Sequence, residues 1–337
     1  MAARARARDG ARQAAARADC RPVRPVRVPD ASEVVAAAVV VSRHLAATPV
    51  VAAPQLGHDV SLKLETLQPT GSFKVRGALV AVTAALARDR STRLVTASAG
   101  NHGLGIAFAA DRLGATATVV VPTNASQAKQ AAIERFAVEL VRYGTSYDEA
   151  EAHAIARADV GAVYVSPYND PDVIAGQGTI AIELLEQVPG LTTIVTPVGG
   201  GGLASGIGLA VSNRGTCVLG VEAEQSPAMR RALDAGAPVA ITPGPTLADG
   251  LAGNLEEGSV TFGLVRRTVA DVVTVSEADI ADALRFLAYE HGIVAEGSAA
   301  VGVAALLTRR IEPRGPTAVI VTGRNIAPET LARVLGG

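Results

Sequence analysis

The chain has 337 residues, 49% of them hydrophobic, and a formal net charge of −1 from 31 Lys and Arg against 32 Asp and Glu. That length supports two lobes with a real core, and the near-neutral balance argues against nucleic acid as a partner. Two cysteines, Cys20 and Cys217, provide no disulfide framework and point to a reducing cytoplasm; no His–Cys cluster has zinc spacing, and apolar runs such as 34–41 are too short to enter a membrane as a span.

Residues 1–28 carry eight arginines among alanine, proline and valine, opposed only by Asp9 and Asp19. A basic arm or a transit-like segment has this composition, but the stretch lacks the apolar run of a secretory signal. It is read as a disordered, non-catalytic Arg/Ala-rich extension. Beyond it, strand and helix signals alternate, which predicts an α/β fold with parallel sheets.

The run Gly71-Ser72-Phe73-Lys74-Val75-Arg76-Gly77-Ala78 sets one lysine among apolar neighbours and away from carboxylates. Desolvation disfavours its ammonium form, and the free amine can hold an aldehyde cofactor as a Schiff base. Alone, the octapeptide also fits a surface lysine in a glycine-rich turn. The segment 94–103 reads as a strand running into a helix, with Ser98, Ala99, Gly100, Asn101 and His102 at the junction. Its N–H-rich turn suits a substrate carboxylate, and Asn101 suits a cofactor oxygen. A histidine at a helix start is more often a packed backbone donor than a catalyst, and His102 is read that way. Strand candidates follow at 118–121 and 138–141.

Thr193 to Val198 reads as a buried strand, followed at once by Gly199, Gly200, Gly201 and Gly202, and then by a helix from Leu203 to Val211. Strand, bare loop and helix start bring N–H groups together on a phosphate. The spacing is not that of a dinucleotide fingerprint, and no acidic residue stands about twenty positions on to hold a ribose. A last strand, 318–322, ends on the hydroxyl of Thr322 ahead of Gly323-Arg324-Asn325.

These residues fall into six ordered motifs: SFKVRGA, SAGNHG, VIAGQGT (173–179), GGGGL, ADGL around Asp249, and EGSAAVGVAAL (296–306). Together they resemble the serine/threonine dehydratase and serine racemase family, pyridoxal 5'-phosphate enzymes of the tryptophan-synthase-β fold type, from about Pro29 to the C-terminus. The resemblance implies a two-domain α/β fold (fold type II) with parallel-rich twisted sheets flanked by helices. It places a large cofactor-binding domain at 29–92 and 166–337, a small domain at 93–165, and the cofactor between them. Carried over, Lys74 is the Schiff-base lysine and Phe73 packs on the cofactor ring. Asn101 contacts the ring hydroxyl, Gly199 to Leu203 cradle the phosphate, and Thr322 faces the pyridine nitrogen. Ser98 to His102 hold the carboxylate of an amino-acid substrate. The family also implies a homodimer. The chain ends soon after Thr322, so the isoleucine-sensing domain of biosynthetic threonine dehydratases is not expected.

The implied reaction is β-elimination from a β-hydroxy amino acid, with Lys74 as the base for the α-proton and a 2-keto acid and ammonia as products. Alternatives are a racemase or a β-replacement enzyme of the same fold, and a non-catalytic amino-acid-binding relative. Serine racemases carry a second serine in the loop where this chain has Ala99, and alanine transfers no proton. Glu222 stands where relatives that bind a divalent metal have an acidic ligand, but Ala228 stands near the second ligand, and no metal is expected. Arg324 and the stretch ADGLAGNLEEGS depart from threonine enzymes and look closer to the hydroxyectoine-utilisation dehydratase branch. Arg324 is a candidate contact for an acidic substrate tail.

Overall fold

The computed structural model describes residues 26–336. The expected disordered extension over 1–28 therefore lies, but for its last three residues, outside the described residues, as does Cys20.

Two sheets organise the chain. The larger has six strands in the order β1 (Val50–Ala52), β2 (Val60–Leu64), β10 (Thr317–Val321), β7 (Thr193–Pro197), β8 (Cys217–Ala223) and β9 (Asp271–Val275). Only its β1–β2 pair is antiparallel. The smaller has four parallel strands in the order β5 (Glu139–Arg142), β4 (Thr116–Val121), β3 (Arg93–Ala97) and β6 (Ala162–Tyr164). β7 and β10 are buried at every position, as central parallel strands covered by helices on both faces must be. Such strands read as continuous apolar runs, which is why both were visible in the sequence. The strand expected at 138–141 is Glu139–Arg142, and the helix expected from Leu203 begins one residue earlier, at Gly202.

One helix sets the spacing of the whole site. Pro171–Gln187 starts with Asp170 accepting from the N–H groups of Asp172 and Val173, and with proline in its first turn, where a missing N–H is harmless. It lies between the helix Lys74–Arg88 and the helix Gly202–Val211, touching both through glycines. A Cβ on Gly176 would come 2.5 Å from Gly77 Cα, and one on Gly178 would come 2.4 Å from Gly206 O. The Ala-Gly-Gln-Gly stretch is thus a close-approach surface, holding the lysine helix on one side and the helix after the glycine loop on the other.

Beneath the lysine helix lies a buried ion cluster. Arg76 donates to both oxygens of Glu65 at 2.7 Å and to Glu183 at 2.6 and 2.9 Å. Lys63 donates to Glu183 at 2.6 Å, and Thr48 Oγ1 donates to Glu65 at 2.6 Å. A carboxylate or guanidinium left unpaired there would carry a heavy desolvation cost, so the cluster ties this helix to β2 and to Pro171–Gln187 as a unit.

Candidate active site

The site forms where β7, β10 and β3 end. β7 and β10 are parallel neighbours, so the glycine loop and Thr322-Gly323 leave the same edge of the sheet, the carboxyl edge at which α/β folds take ligands. Residues 71–73 come back to that edge antiparallel to 322–324. Phe73 N donates to Thr322 O at 3.0 Å, Arg324 N donates to Gly71 O at 2.9 Å, and Ser72 bridges Gly323. This pairing puts Lys74, the first residue of its helix, beside the end of the last strand.

The chain has three lysines, and their surroundings differ sharply. Lys63 is fully buried and ion-paired with Glu183. Lys129 is 45% exposed and lies 3.5 Å from Asp249. Lys74 donates to the carbonyl of Pro167 at 2.8 Å, with the Phe73 ring centroid 5.3 Å away. Burial holds its pKa down to about 8, against an opposing pull from Glu296. That pull corrects the expectation that Lys74 stands away from carboxylates: it does so in sequence, but the fold brings Glu296 within electrostatic reach.

Glu296 is 7% exposed and precedes the helix Gly297–Leu307. Both its oxygens accept from Asn101 Nδ2, at 2.8 and 3.1 Å. Burial lifts its pKa to about 7, and the Asn101 hydrogen bond partly offsets this. Asn325 completes the chain of contacts, donating to Asn101 Oδ1 at 2.7 Å and to Thr70 O at 2.9 Å. Asn101 is thereby held with its amide oriented from both ends. Ser98 Oγ accepts from Gly100 N at 3.1 Å, which shapes the turn ahead of the helix Asn101–Leu113, and Ala99 is half-buried in that turn. The His102 ring is 3% exposed, with Nε2 3.2 Å from Val165 O. Burial, reinforced by the charge of Lys74, lowers its pKa to about 3. A neutral ring must donate from Nε2 to that carbonyl.

The glycine loop backs onto Tyr168. A Cβ on Gly200 would come 2.4 Å from the Tyr168 ring, and one on Gly202 would come 2.8 Å from Tyr168 O. Gly201 has φ +86°, and Thr261 Oγ1 donates to Gly200 O at 2.7 Å. First-turn N–H groups of a helix have no partner within it, and here bare backbone leads into them past Leu203. An amine of lowered pKa, a loop with no room for a Cβ and a buried strand-end hydroxyl at Thr322 fit pyridoxal 5'-phosphate.

Glu222 and Arg324 are the two other positions weighed in the sequence. Glu222 accepts from Met229 N and Arg230 N, both at 2.8 Å, so its carboxylate caps the helix Ala228–Ala235. Among the described residues no group of three His, Cys, Asp or Glu is placed to hold a metal ion. Arg324 is exposed next to Asn325. Sequence reasoning missed Glu296 as a site group, together with Asn325, Tyr168 and Arg76.

This fold and site define a pyridoxal-phosphate enzyme. The chain belongs to the family described as pyridoxal-phosphate dependent enzyme, whose model matches residues 41–323. It is similar to an L-threonine ammonia-lyase of Thermotoga maritima, 41% identical over 282 residues, covering 83% of this chain and 70% of that protein. It is 33% identical to the catabolic L-threonine dehydratase of Escherichia coli, covering 82% and 86% of the two chains. Among solved structures, maize serine racemase superposes with a TM-score of 0.85 at 30% identity, covering 92% of this chain and 98% of that one. Among the described residues no helix is long and apolar enough to cross a membrane.

Proposed function

We propose that the chain is a pyridoxal 5'-phosphate-dependent ammonia-lyase that converts a β-hydroxy amino acid of the threonine and serine class to a 2-keto acid and ammonia. The observation that carries this reading is the setting of Lys74, the one lysine of the three that is half-buried with no ion-pair partner among the described residues, donates to Pro167 O and follows Phe73, whose N–H is bonded to Thr322 O.

Bound there, the cofactor supplies an electron sink that acidifies the α-C–H of the amino acid. Lys74 holds the cofactor through its Nζ and, once freed by the substrate amine, takes the α-proton. Burial lowers the pKa of that amine to about 8, which favours the neutral form a base requires. Gly199 to Leu203 hold the phosphate, Phe73 lies against the ring, and Asn101 reaches the ring hydroxyl while Asn325 and Glu296 fix its amide. The hydroxyl of Thr322 meets the ring nitrogen without a charge, which favours loss of the β-hydroxyl over reactions that need a long-lived carbanion. The N–H groups of Ser98 to His102 receive the substrate carboxylate. The β-hydroxyl leaves as water, and the unsaturated amine then takes up water and releases ammonia, so the net products are keto acid and ammonium.

Ala99 separates this reading from racemisation, which needs a second proton carrier on the opposite face of the α-carbon. The reading extends to large and small domains at 29–92 with 166–337 and at 93–165, and to a homodimer in the cytoplasm. The test is keto-acid release from serine, threonine, threo-3-hydroxyaspartate and phenylserine, with chiral chromatography of the remaining substrate. Keto acid with little D-isomer is expected. Racemisation of the L-substrate at a rate rivalling keto-acid release would overturn it.

A further inference from the structure

The stretch 252–259 is neither in the glycine loop nor in the carboxylate loop. It grips the crossover 166–169, the segment that carries the chain from β6 back to the helix Pro171–Gln187. Glu256 makes most of that grip. Its Oε1 accepts from Ser166 Oγ at 2.7 Å, its Oε2 accepts from Asn169 Nδ2 at 3.0 Å, and its N–H donates to Tyr168 Oη at 2.7 Å. Val260 N donates to Asn169 Oδ1 at 3.1 Å and closes the clasp.

The crossover has two contacts that bear on the site. The Pro167 carbonyl receives the Lys74 amine, and the Tyr168 ring backs the glycine loop at Gly200. We propose that Glu256 is a positioning residue: it clamps the crossover so that the lysine's acceptor and the floor of the phosphate cradle keep one fixed relation. This rests on the reading of Lys74 as the cofactor lysine. Burial, with the nearby Glu151, raises the Glu256 pKa, and the hydrogen bonds from Ser166 and Asn169 oppose that rise. Removing that carboxylate leaves both donors without their acceptor and the crossover free to shift, while the exposed neighbour Glu257 makes no such contact with the crossover.

The test is titration of apo-protein with pyridoxal 5'-phosphate, followed by the absorbance of the lysine-bound cofactor, with thermal melting of each apo-protein alongside. Glu256→Ala is expected to weaken cofactor binding by about tenfold or more, equivalent to about 1.4 kcal/mol, whereas Glu257→Ala leaves it unchanged. Ser166→Ala is expected to weaken it in the same direction by less, and carries the test should Glu256→Ala fail to fold. A role confined to stability would lower the melting temperature and leave the affinity intact. Wild-type affinity in a folded Glu256→Ala, or in Ser166→Ala where that variant carries the test, overturns the clamp alone. A wild-type protein that forms no such absorbance band overturns the reading of Lys74, and the clamp with it.

Discussion

Replacing Gly176 by alanine probes the contact that sets the position of Lys74. The new Cβ would stand 2.5 Å from Gly77 Cα and 2.9 Å from Arg76 O, where ordinary contact begins at 3.4 Å. Both obstacles are backbone and cannot rotate aside, so the helices must part by about 1 Å in a close-packed interior. Overpacking of this kind costs roughly 3 kcal/mol at its upper range, and the better helix propensity of alanine returns about 1 kcal/mol, leaving about 2 kcal/mol of destabilisation. Since the displaced helix begins at Lys74, turnover falls further, by roughly a hundredfold for a 1 Å misplacement of a reacting group. Gly263→Ala is the internal control, because a Cβ there meets nothing within 4 Å and the same substitution gains up to about 1 kcal/mol. Denaturant melting of the apo-proteins and a keto-acid assay of the reconstituted enzymes read the two effects. Gly176→Ala with wild-type stability and wild-type turnover would refute the close-approach reasoning.

Three further outcomes follow from the same geometry. Arg76→Leu strands Glu65 in the core without its cation and leaves Glu183 to Lys63 alone, and it is expected to destabilise by about 3–5 kcal/mol, checked by urea melting. Glu296 has its pKa lifted to about 7 from an ordinary 4.5, so the folded state binds the proton more tightly and this group's contribution is lost as pH rises through that window. Glu296→Gln does not titrate, so its stability relative to wild type should improve from pH 4.5 to pH 7; a constant difference across that range would contradict the shift. Ala99→Ser is expected to leave keto-acid release in place and to introduce D-isomer into the residual substrate, read by chiral chromatography.

What could be read from the sequence was local. β7, β10 and the glycine loop announced themselves as apolar runs ending in clusters of small residues, because both faces of those strands are covered and the loop admits no side chain. The lysine stood out because only three exist and one lies in a glycine-flanked apolar setting. The partners of these residues carried no local signal. Glu296 meets Asn101 across 195 positions, Asn325 meets it across 224, and Glu256 reaches Ser166 across 90. Glu296 offered no hint either, because an acidic residue at a helix N-terminus is ordinary and only the fold shows that this one is buried. Glu222 was ambiguous in the sequence, since an acidic residue at a strand end can serve as a helix cap as readily as a ligand; in the fold it is the cap. The glycines of 173–179 were legible as a motif, but their role as spacers required the helices on either side.

The central claim is that Lys74 carries the cofactor, and borohydride reduction of the holoenzyme followed by peptide mapping tests it most directly. The pyridoxyl group is expected on the peptide containing Lys74 and nowhere else. Its appearance on Lys63 or Lys129, or on no lysine at all, would contradict the account.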